Sequence, residues 1–184
     1  HLGASQNREG FIRLQLPNKF RRIALYCNTL RYLKPVQVWG RIIFRLSRPK
    51  VKLGPQPRLR QRNGAWQAPA ARSASLVGAT RFRFLNVESD VCSAEDWNDS
   101  RRPKLWNYNL HYFDDLNATN APTRREWHAN LIARWITENP ATQGVGWESY
   151  PLSVRIVNWI KWGLAGNQLE APVLRSLATQ VRYL

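Results

Sequence analysis

The sequence predicts a mainly helical fold, built from pairs of helices that are joined by loops. Apolar residues recur at intervals of three and four over residues 19–46, 123–138, 152–164 and 172–184, which is the period of an amphipathic helix. Proline, glycine and asparagine interrupt the pattern between these stretches, as they do where helices end. Hydrophobic residues make up 43% of the 184 residues, which is enough for a substantial core.

The N-terminal part divides into three predicted segments. Residues 1–18 are predicted to be a flexible lead-in. Residues 19–48 predict two basic amphipathic helices, because Lys34 and Pro35 interrupt an otherwise helical spacing. Residues 49–80 are rich in proline, glycine, alanine and serine, so they predict a linker or a long loop.

Residues 81–184 are predicted to form the main domain, with a strand at its start. Side chains alternate over residues 80–87, which favours a short strand. A helix is predicted within residues 105–116. Thr123 and Glu126 have the spacing of a capping box, so we expect the next helix to begin there.

The last two predicted helices carry Pro151 and Pro172 in their first turns, a favoured place for proline. After Pro151, the predicted core stripe is Leu152, Ile156, Ile160 and Leu164, with Arg155 on another face. The helix before it has Trp127, Leu131 and Trp135 on its predicted core stripe. Because the final helical pattern stops without an end signal, we expect the chain to continue beyond Leu184.

The charge is concentrated in one half of the chain. Residues 1–87 contain 18 Lys and Arg and one acid, Glu9, whereas residues 88–184 contain 10 Lys and Arg and 11 acids. The first half therefore carries +17 and the second half −1, which gives the net charge of +16. Such a balance predicts an anionic partner, which leaves nucleic acid, acidic polysaccharide and lipid headgroups open.

Two aromatic blocks, residues 105–116 and 144–162, contain Asn, His, Glu and Arg among their rings. A polar group buried without a partner costs about 1 to 3 kcal/mol, so this mixture favours a carbohydrate cleft. There, rings stack on sugar faces while amides and charges bind hydroxyls and carboxylates. The candidate substrate-binding residues are Asn109, His111, Tyr112, Trp147, Glu148, Tyr150, Arg155 and Asn158.

A polar network between packed helices is the alternative interpretation of the same residues. Glu148 is also suited to bonding a neighbouring helix, and Asn158 to packing between helices. His111 fits either a core network or a cleft. Arg155 is the strongest candidate for a functional charge, since its predicted face is not the apolar one.

The two blocks resemble the N-terminal part of heparinase II/III-like polysaccharide lyases. The residues that carry the resemblance are Trp106-Asn107-Tyr108-Asn109-Leu110-His111-Tyr112-Phe113 and Gly146-Trp147-Glu148-Ser149-Tyr150-Pro151-Leu152-Ser153-Val154-Arg155-Ile156-Val157-Asn158-Trp159. The resemblance extends more loosely over residues 19–184. It implies that residues 81–184 are the first part of an incomplete (α/α) toroid of helical hairpins, and that uronate-containing polysaccharide is cleaved by β-elimination.

That reaction needs a group that neutralises the uronate carboxylate and a Tyr or His that removes the C5 proton. The family uses an Asn-His segment for part of this work, and the sequence contains no Asn-His dipeptide. The catalytic region is expected beyond Leu184, so no catalytic residue is assigned and we expect the chain to bind rather than to cleave. No cofactor or metal is expected, since Cys27 and Cys92 match no metal motif.

Alternatives from other classes stay open. A basic nucleic-acid-binding protein is favoured by the charge of residues 1–87, although no nucleic-acid-binding motif is recognisable. An envelope-associated polysaccharide-binding protein without catalysis is a further alternative. Residues 19–48 are suited to an anionic membrane surface, and the resemblance implies a bacterial cell envelope or periplasm, although no signal peptide is recognisable.

Overall fold

The computed structural model describes residues 25–26, 28, 31–46, 54–55, 58–60, 64–68 and 70–184. The predicted lead-in and most of the first predicted helix lie outside these residues. The chain divides into two compact units, His1–Pro49 and Lys50–Leu184. The described residues are mainly helical, as predicted. Within them, no helix is long and apolar enough to cross a membrane.

Unit 1 contains the second predicted helix, α1, which extends over Pro35–Leu46. Pro35 occupies its first turn, where the missing N–H leaves no helical hydrogen bond unmade. Gln37 Oε1 accepts a hydrogen bond from the Lys34 backbone N–H at 3.0 Å, and the Gln37 N–H donates to the Lys34 carbonyl at 2.8 Å. This reciprocal pair fixes the start of the helix.

The strands described in unit 2 form an antiparallel hairpin instead of the single predicted strand. Its strands are β1, Arg81–Phe84, and β2, Val87–Asp90. Leu85 and Asn86 both have positive φ, 54° and 61°, as a two-residue hairpin turn requires. The sequence analysis missed the turn because leucine is an uncommon residue in that conformation.

The end of the predicted linker is part of the folded unit. Arg72 forms a bridge with Ala118, and Leu76 forms one with Phe82. Leu76 is 2% exposed, so it belongs to the core. Residues 72–76 therefore lie in unit 2 without a helix or strand of their own, and the buried Leu76 left no periodic signal in the sequence.

Among the described residues of unit 2, four α-helices follow the hairpin: α2 Lys104–Tyr112, α3 Arg125–Glu138, α4 Ser149–Leu164 and α5 Ala171–Tyr183. Helix α2 is shorter than predicted, because Phe113 takes a left-handed conformation (φ 59°) and ends it. The predicted capping box is wrong. A 3-10 turn, Ala121–Arg124, precedes α3, and the Thr123 hydroxyl donates to the Asn120 carbonyl at 2.8 Å.

Several rings of the aromatic blocks pack with Trp97 and Trp135 in the core of unit 2 instead of lining an open cleft. Trp97, Trp106, Trp135 and Trp159 are each at most 1% exposed. The Phe113 ring stacks parallel to that of Trp97 and lies edge-on to Trp135 and Trp159, with centroid distances between 5.4 and 6.4 Å. Such pairs add about 0.5 to 1.5 kcal/mol each to the effect of burial, so they hold α2, α3 and α4 together.

Two predicted core positions are half-exposed. Ile160 is 42% exposed and Trp127 is 36% exposed, whereas Trp159 and Arg155, which lie outside the predicted core stripe of α4, are buried. The buried arc of α4 is wide because α2 and α5 both pack on it. Ile160 instead lines an apolar groove of about 1,020 Å³ between α4, α5 and residues 59–60.

Candidate functional site

A stripe of side chains at the surface of α2 continues onto the start of α4. Lys104, Tyr108 and Tyr112 follow one another at four-residue intervals, so they share one side of the helix. Glu148 immediately precedes α4, and Tyr150 lies in its first turn. Successive contacts from Lys104 and Glu148 through Tyr108 and Tyr112 to Tyr150 link these five side chains, and together they are called the tyrosine face.

One end of the tyrosine face is polar and charged. The Tyr108 hydroxyl donates a hydrogen bond to the Glu148 carboxylate, and Lys104 Nζ lies 2.9 Å from the same carboxylate. Lys104 Nζ also lies 5.1 Å from the centroid of the Tyr108 ring. Partial burial raises the pKa of Glu148, but the hydrogen bonds from Tyr108 and Lys104 outweigh it and hold that pKa below its usual value. Glu148 is therefore ionised at neutral pH.

The other end of the tyrosine face is aromatic. The Tyr112 and Tyr150 rings meet edge-to-face with 5.6 Å between centroids, and the Tyr108 ring lies 6.4 Å from that of Tyr112. Tyr150 is 62% exposed and Tyr112 is 8% exposed. Burial raises the pKa of Tyr112 to about 12, so its hydroxyl stays protonated at neutral pH. An exposed ring at one end of a surface and a Lys–Glu pair at its other end offer the stacking and hydrogen-bonding groups that sugars use.

Arg155 was predicted to hold a substrate carboxylate, but the structure encloses it in the core. Its Nε donates to Gln180 Oε1 at 2.9 Å, and its Nη1 donates to the carbonyls of Gly146 at 2.9 Å and His111 at 3.4 Å. The guanidinium lies 3.8 Å from the centroid of the Trp135 ring. Burial lowers its pKa well below the usual value. Because solvent does not reach this side chain, it joins helices instead of contacting a ligand.

His111 is also fully buried, in the network that the alternative interpretation expected. Its Nδ1 accepts a hydrogen bond from Trp135 Nε1 at 3.0 Å, so its Nε2 carries the proton and donates to the Trp97 carbonyl at 3.0 Å. Burial, followed by the charge of Arg155, lowers the pKa of His111 to about 3. A Cβ on Gly146 would come within 2.6 Å of Nδ1, so this position requires glycine.

The two candidate asparagines are hydrogen-bonded to groups of unit 2. Asn158 is 6% exposed, and its Nδ2 donates to the Tyr112 carbonyl and to Asp114 Oδ1, both at 2.8 Å. It joins α4 to the end of α2. Asn109 Nδ2 donates to the Leu105 carbonyl at 2.7 Å. These bonds account for Asn109 and Asn158 without a ligand.

Trp147 lies between the core and a second groove. It is 6% exposed, and its ring packs edge-on against Tyr183 at 5.4 Å. The groove beside it, of about 270 Å³, is lined by Arg175, Ser176 and Thr179 of α5. Trp147 therefore forms part of a groove wall, but it is separate from the tyrosine face.

An aspartate that the sequence analysis did not single out is the centre of a buried network. The Asp115 carboxylate accepts the backbone N–H groups of Ser75 and Leu76 at 2.6 and 3.0 Å, Arg124 Nε at 2.8 Å and His128 Nε2 at 2.7 Å. Burial alone raises the pKa of Asp115, but these hydrogen bonds lower it to about 2. The network fastens the segment before the hairpin to α3.

The sequence analysis therefore identified three members of the tyrosine face, Tyr112, Glu148 and Tyr150, and missed Lys104 and Tyr108. The signal that could have found them is the repeated four-residue spacing of Lys104, Tyr108 and Tyr112. Among the residues that the structure describes, no group of three or more His, Cys, Asp and Glu side chains could hold a metal ion.

No protein-family model, no curated protein and no solved structure matches the chain. The resemblance to heparinase II/III-like lyases therefore stays a prediction. The function has to be argued from the chemistry of the tyrosine face and from the charge of the chain.

Proposed function

We propose that this chain binds an acidic, uronate-containing polysaccharide through the tyrosine face. The observation that carries the proposal is the exposed ring of Tyr150 beside the Tyr112 ring, with an ion pair at the far end of the same surface. Sugar rings offer C–H groups to aromatic faces and hydroxyls to charged groups. Lys104, whose side chain is 63% exposed, offers the cation for a uronate carboxylate.

The charge of the chain supports an acidic rather than a neutral polymer. The net charge is +16, and a field of that sign attracts polyanions over distances of about one Debye length. Neutral glucans carry no charge, so this electrostatic attraction does not strengthen their binding. The preference for uronate polymers should therefore weaken as salt is added, whereas the stacking contribution of Tyr150 should persist.

We further propose, from the sequence resemblance, that α2–α5 are the first hairpins of an (α/α) toroid in a polysaccharide lyase of the bacterial cell envelope. The chain itself is proposed to hold substrate rather than to cleave it. A C5 base must be unprotonated at neutral pH, and Tyr112 has a pKa of about 12. His111 is neutral, but its Nδ1 already accepts a hydrogen bond from Trp135 and the ring is sealed from solvent. Both facts favour binding without turnover.

Calorimetric titration with polygalacturonate, dextran and duplex DNA in moderate salt tests the proposal. Tyr150→Ala should weaken polygalacturonate binding about tenfold, which is about 1.4 kcal/mol, because it removes the exposed ring. Tyr32→Ala is the matched control, since Tyr32 is 73% exposed but belongs to unit 1. Equal affinities of the two variants would contradict the role of the tyrosine face.

The same titrations separate the alternatives. A nucleic-acid-binding protein, favoured by the +17 charge of residues 1–87, would bind DNA in preference to polygalacturonate, with an affinity that falls steeply with salt. Incubation with polygalacturonate should produce no ultraviolet absorbance from unsaturated uronate. Such absorbance would show that the chain cleaves as well as binds.

A further inference from the structure

Helix α1 in unit 1 has one apolar side that is open to solvent. Val36, Trp39, Ile42 and Leu46 are 71%, 63%, 43% and 80% exposed. At 100° per residue these four positions fall within one arc of the helix, with Trp39 near its centre. An exposed apolar arc with a central tryptophan is unusual on a surface that meets only water.

The opposite side of α1 and the sequence around it are cationic. Gln37 and Arg41 lie across the helix from Trp39, and both are exposed. The helix contains no acid, and Glu9 is the only acid in residues 1–87, against 18 Lys and Arg. An apolar side next to uncompensated positive charge is complementary to an anionic lipid surface.

We propose that α1 binds in the plane of an anionic membrane surface. The apolar arc enters the boundary between headgroups and acyl chains, and Arg41 stays among the lipid phosphates. Tryptophan suits this depth, because its ring is apolar and its N–H remains hydrogen-bonded near the headgroups. The twelve residues of α1 give a helix of about 18 Å, which lies along such a surface.

Binding to nucleic acid would explain the positive charge of α1 but not its exposed apolar side. Phosphate contacts use Lys and Arg and gain little from an exposed Ile42 or Leu46. The proposal does not depend on polysaccharide binding, since the tyrosine face belongs to unit 2 and α1 belongs to unit 1. A result that contradicts one of the two proposals therefore does not contradict the other.

Co-sedimentation of the full 184-residue chain with vesicles tests the proposal. Vesicles of phosphatidylcholine with about one third phosphatidylglycerol carry the negative surface potential that the proposal needs, and pure phosphatidylcholine vesicles do not. Ile42→Gln keeps a good helix former while removing an apolar side chain, so it should lower partitioning onto anionic vesicles about tenfold. Arg41→Gln should lower partitioning onto anionic vesicles only.

The matched control is Leu85→Gln, which removes an aliphatic side chain that is 55% exposed in unit 2. It should leave partitioning unchanged. A second measurement uses the unaltered chain, so it does not depend on whether a variant keeps its helix. Vesicles with brominated lipids should quench part of the tryptophan fluorescence of this chain. That quenched part should be missing in Trp39→Phe. Trp39→Phe keeps the apolar arc, so vesicle binding itself should persist.

Three results would overturn the proposal. They are no sedimentation with anionic vesicles, equal losses for Ile42→Gln and Leu85→Gln, and quenching that survives Trp39→Phe. Binding to duplex DNA but not to anionic vesicles would assign the cationic half to nucleic acid instead.

Discussion

Replacing Asp115 with asparagine should destabilise unit 2 strongly, because the native carboxylate accepts four donors in a buried site. Asparagine can keep the two backbone N–H groups on its carbonyl oxygen. Its amide N–H₂ would then face Arg124 Nε and His128 Nε2, the two donors that lie 2.8 and 2.7 Å from Asp115 Oδ2. Donors facing donors leave buried groups unpaired.

The magnitude follows from the hydrogen bonds and from the pKa of Asp115. Its fall from 3.8 to about 2 corresponds to about 2 kcal/mol of stabilisation of the folded chain at neutral pH. The unpaired donors add to this loss, so we expect about 2 to 4 kcal/mol in total. In urea, with a slope of about 2 kcal/mol per M, the unfolding midpoint should fall by about 1 to 2 M.

Asp114→Asn is the matched control at the neighbouring position. Asp114 pairs with Arg72, whose side chain is 72% exposed, and exposed pairs contribute about 0 to 1 kcal/mol. The asparagine oxygen can still accept the hydrogen bond from Asn158 Nδ2. Urea unfolding followed by tryptophan fluorescence should therefore show a small midpoint shift for Asp114→Asn and a large one for Asp115→Asn.

The pH dependence gives an independent check of the same reasoning. Because the pKa of Asp115 is lower in the folded chain than in the unfolded chain, its stabilisation is present above about pH 4 and is lost as pH falls through about 2. The difference in unfolding free energy between wild type and Asp115→Asn should thus narrow by about 1 kcal/mol between pH 7 and pH 3. Equal urea midpoints for Asp114→Asn and Asp115→Asn would refute the reasoning. So would a difference in unfolding free energy between wild type and Asp115→Asn that is the same at pH 7 and pH 3.

Two further predictions concern the core and the tyrosine face. Gly146→Ala should cost about 1 to 3 kcal/mol, because its Cβ meets the hydrogen-bonded ring of His111. Gly163→Ala should cost less than Gly146→Ala, because its Cβ meets the flexible, half-buried Leu169 side chain and alanine favours the helix; equal urea midpoints for the two variants would count against this. Ultraviolet titration should show one tyrosine ionising near pH 12 that disappears in Tyr112→Phe, and stability from this group should be lost above about pH 10. An unchanged titration curve would contradict the burial of Tyr112.

The helices were predictable because their spacing follows from the backbone period alone. Helices α1, α4 and α5 lie where the apolar spacing and Pro35, Pro151 and Pro172 placed them. The left-handed Phe113 that ends α2 was not predictable. The free-energy cost of this backbone conformation is offset by ring contacts with Trp97 and Trp159, which are distant in sequence. A local sequence pattern contains no information about such contacts.

Residue type and spacing could not decide whether Arg155 contacts a ligand or belongs to the core. A cation among aromatic residues predicts a ligand contact or a core network equally well. Arg155 belongs to the core network because it donates hydrogen bonds to Gln180 and to two backbone carbonyls, which only the folded chain brings together. Tyr150 was predicted as a ring available to sugars, and at 62% exposure it lies at the surface, whereas its neighbours Pro151 and Leu152 are buried.

Nitration of exposed tyrosines, mapped by mass spectrometry with and without polygalacturonate, tests the tyrosine face most directly. Tyr150 and Tyr32 are both exposed, at 62% and 73%, and both should react in the free chain, whereas Tyr112 should not. Polygalacturonate should protect Tyr150 and leave Tyr32 reactive, and dextran should protect neither. Protection of Tyr32 with full nitration of Tyr150 would contradict polysaccharide binding at the tyrosine face and would assign the polymer to the basic half of the chain.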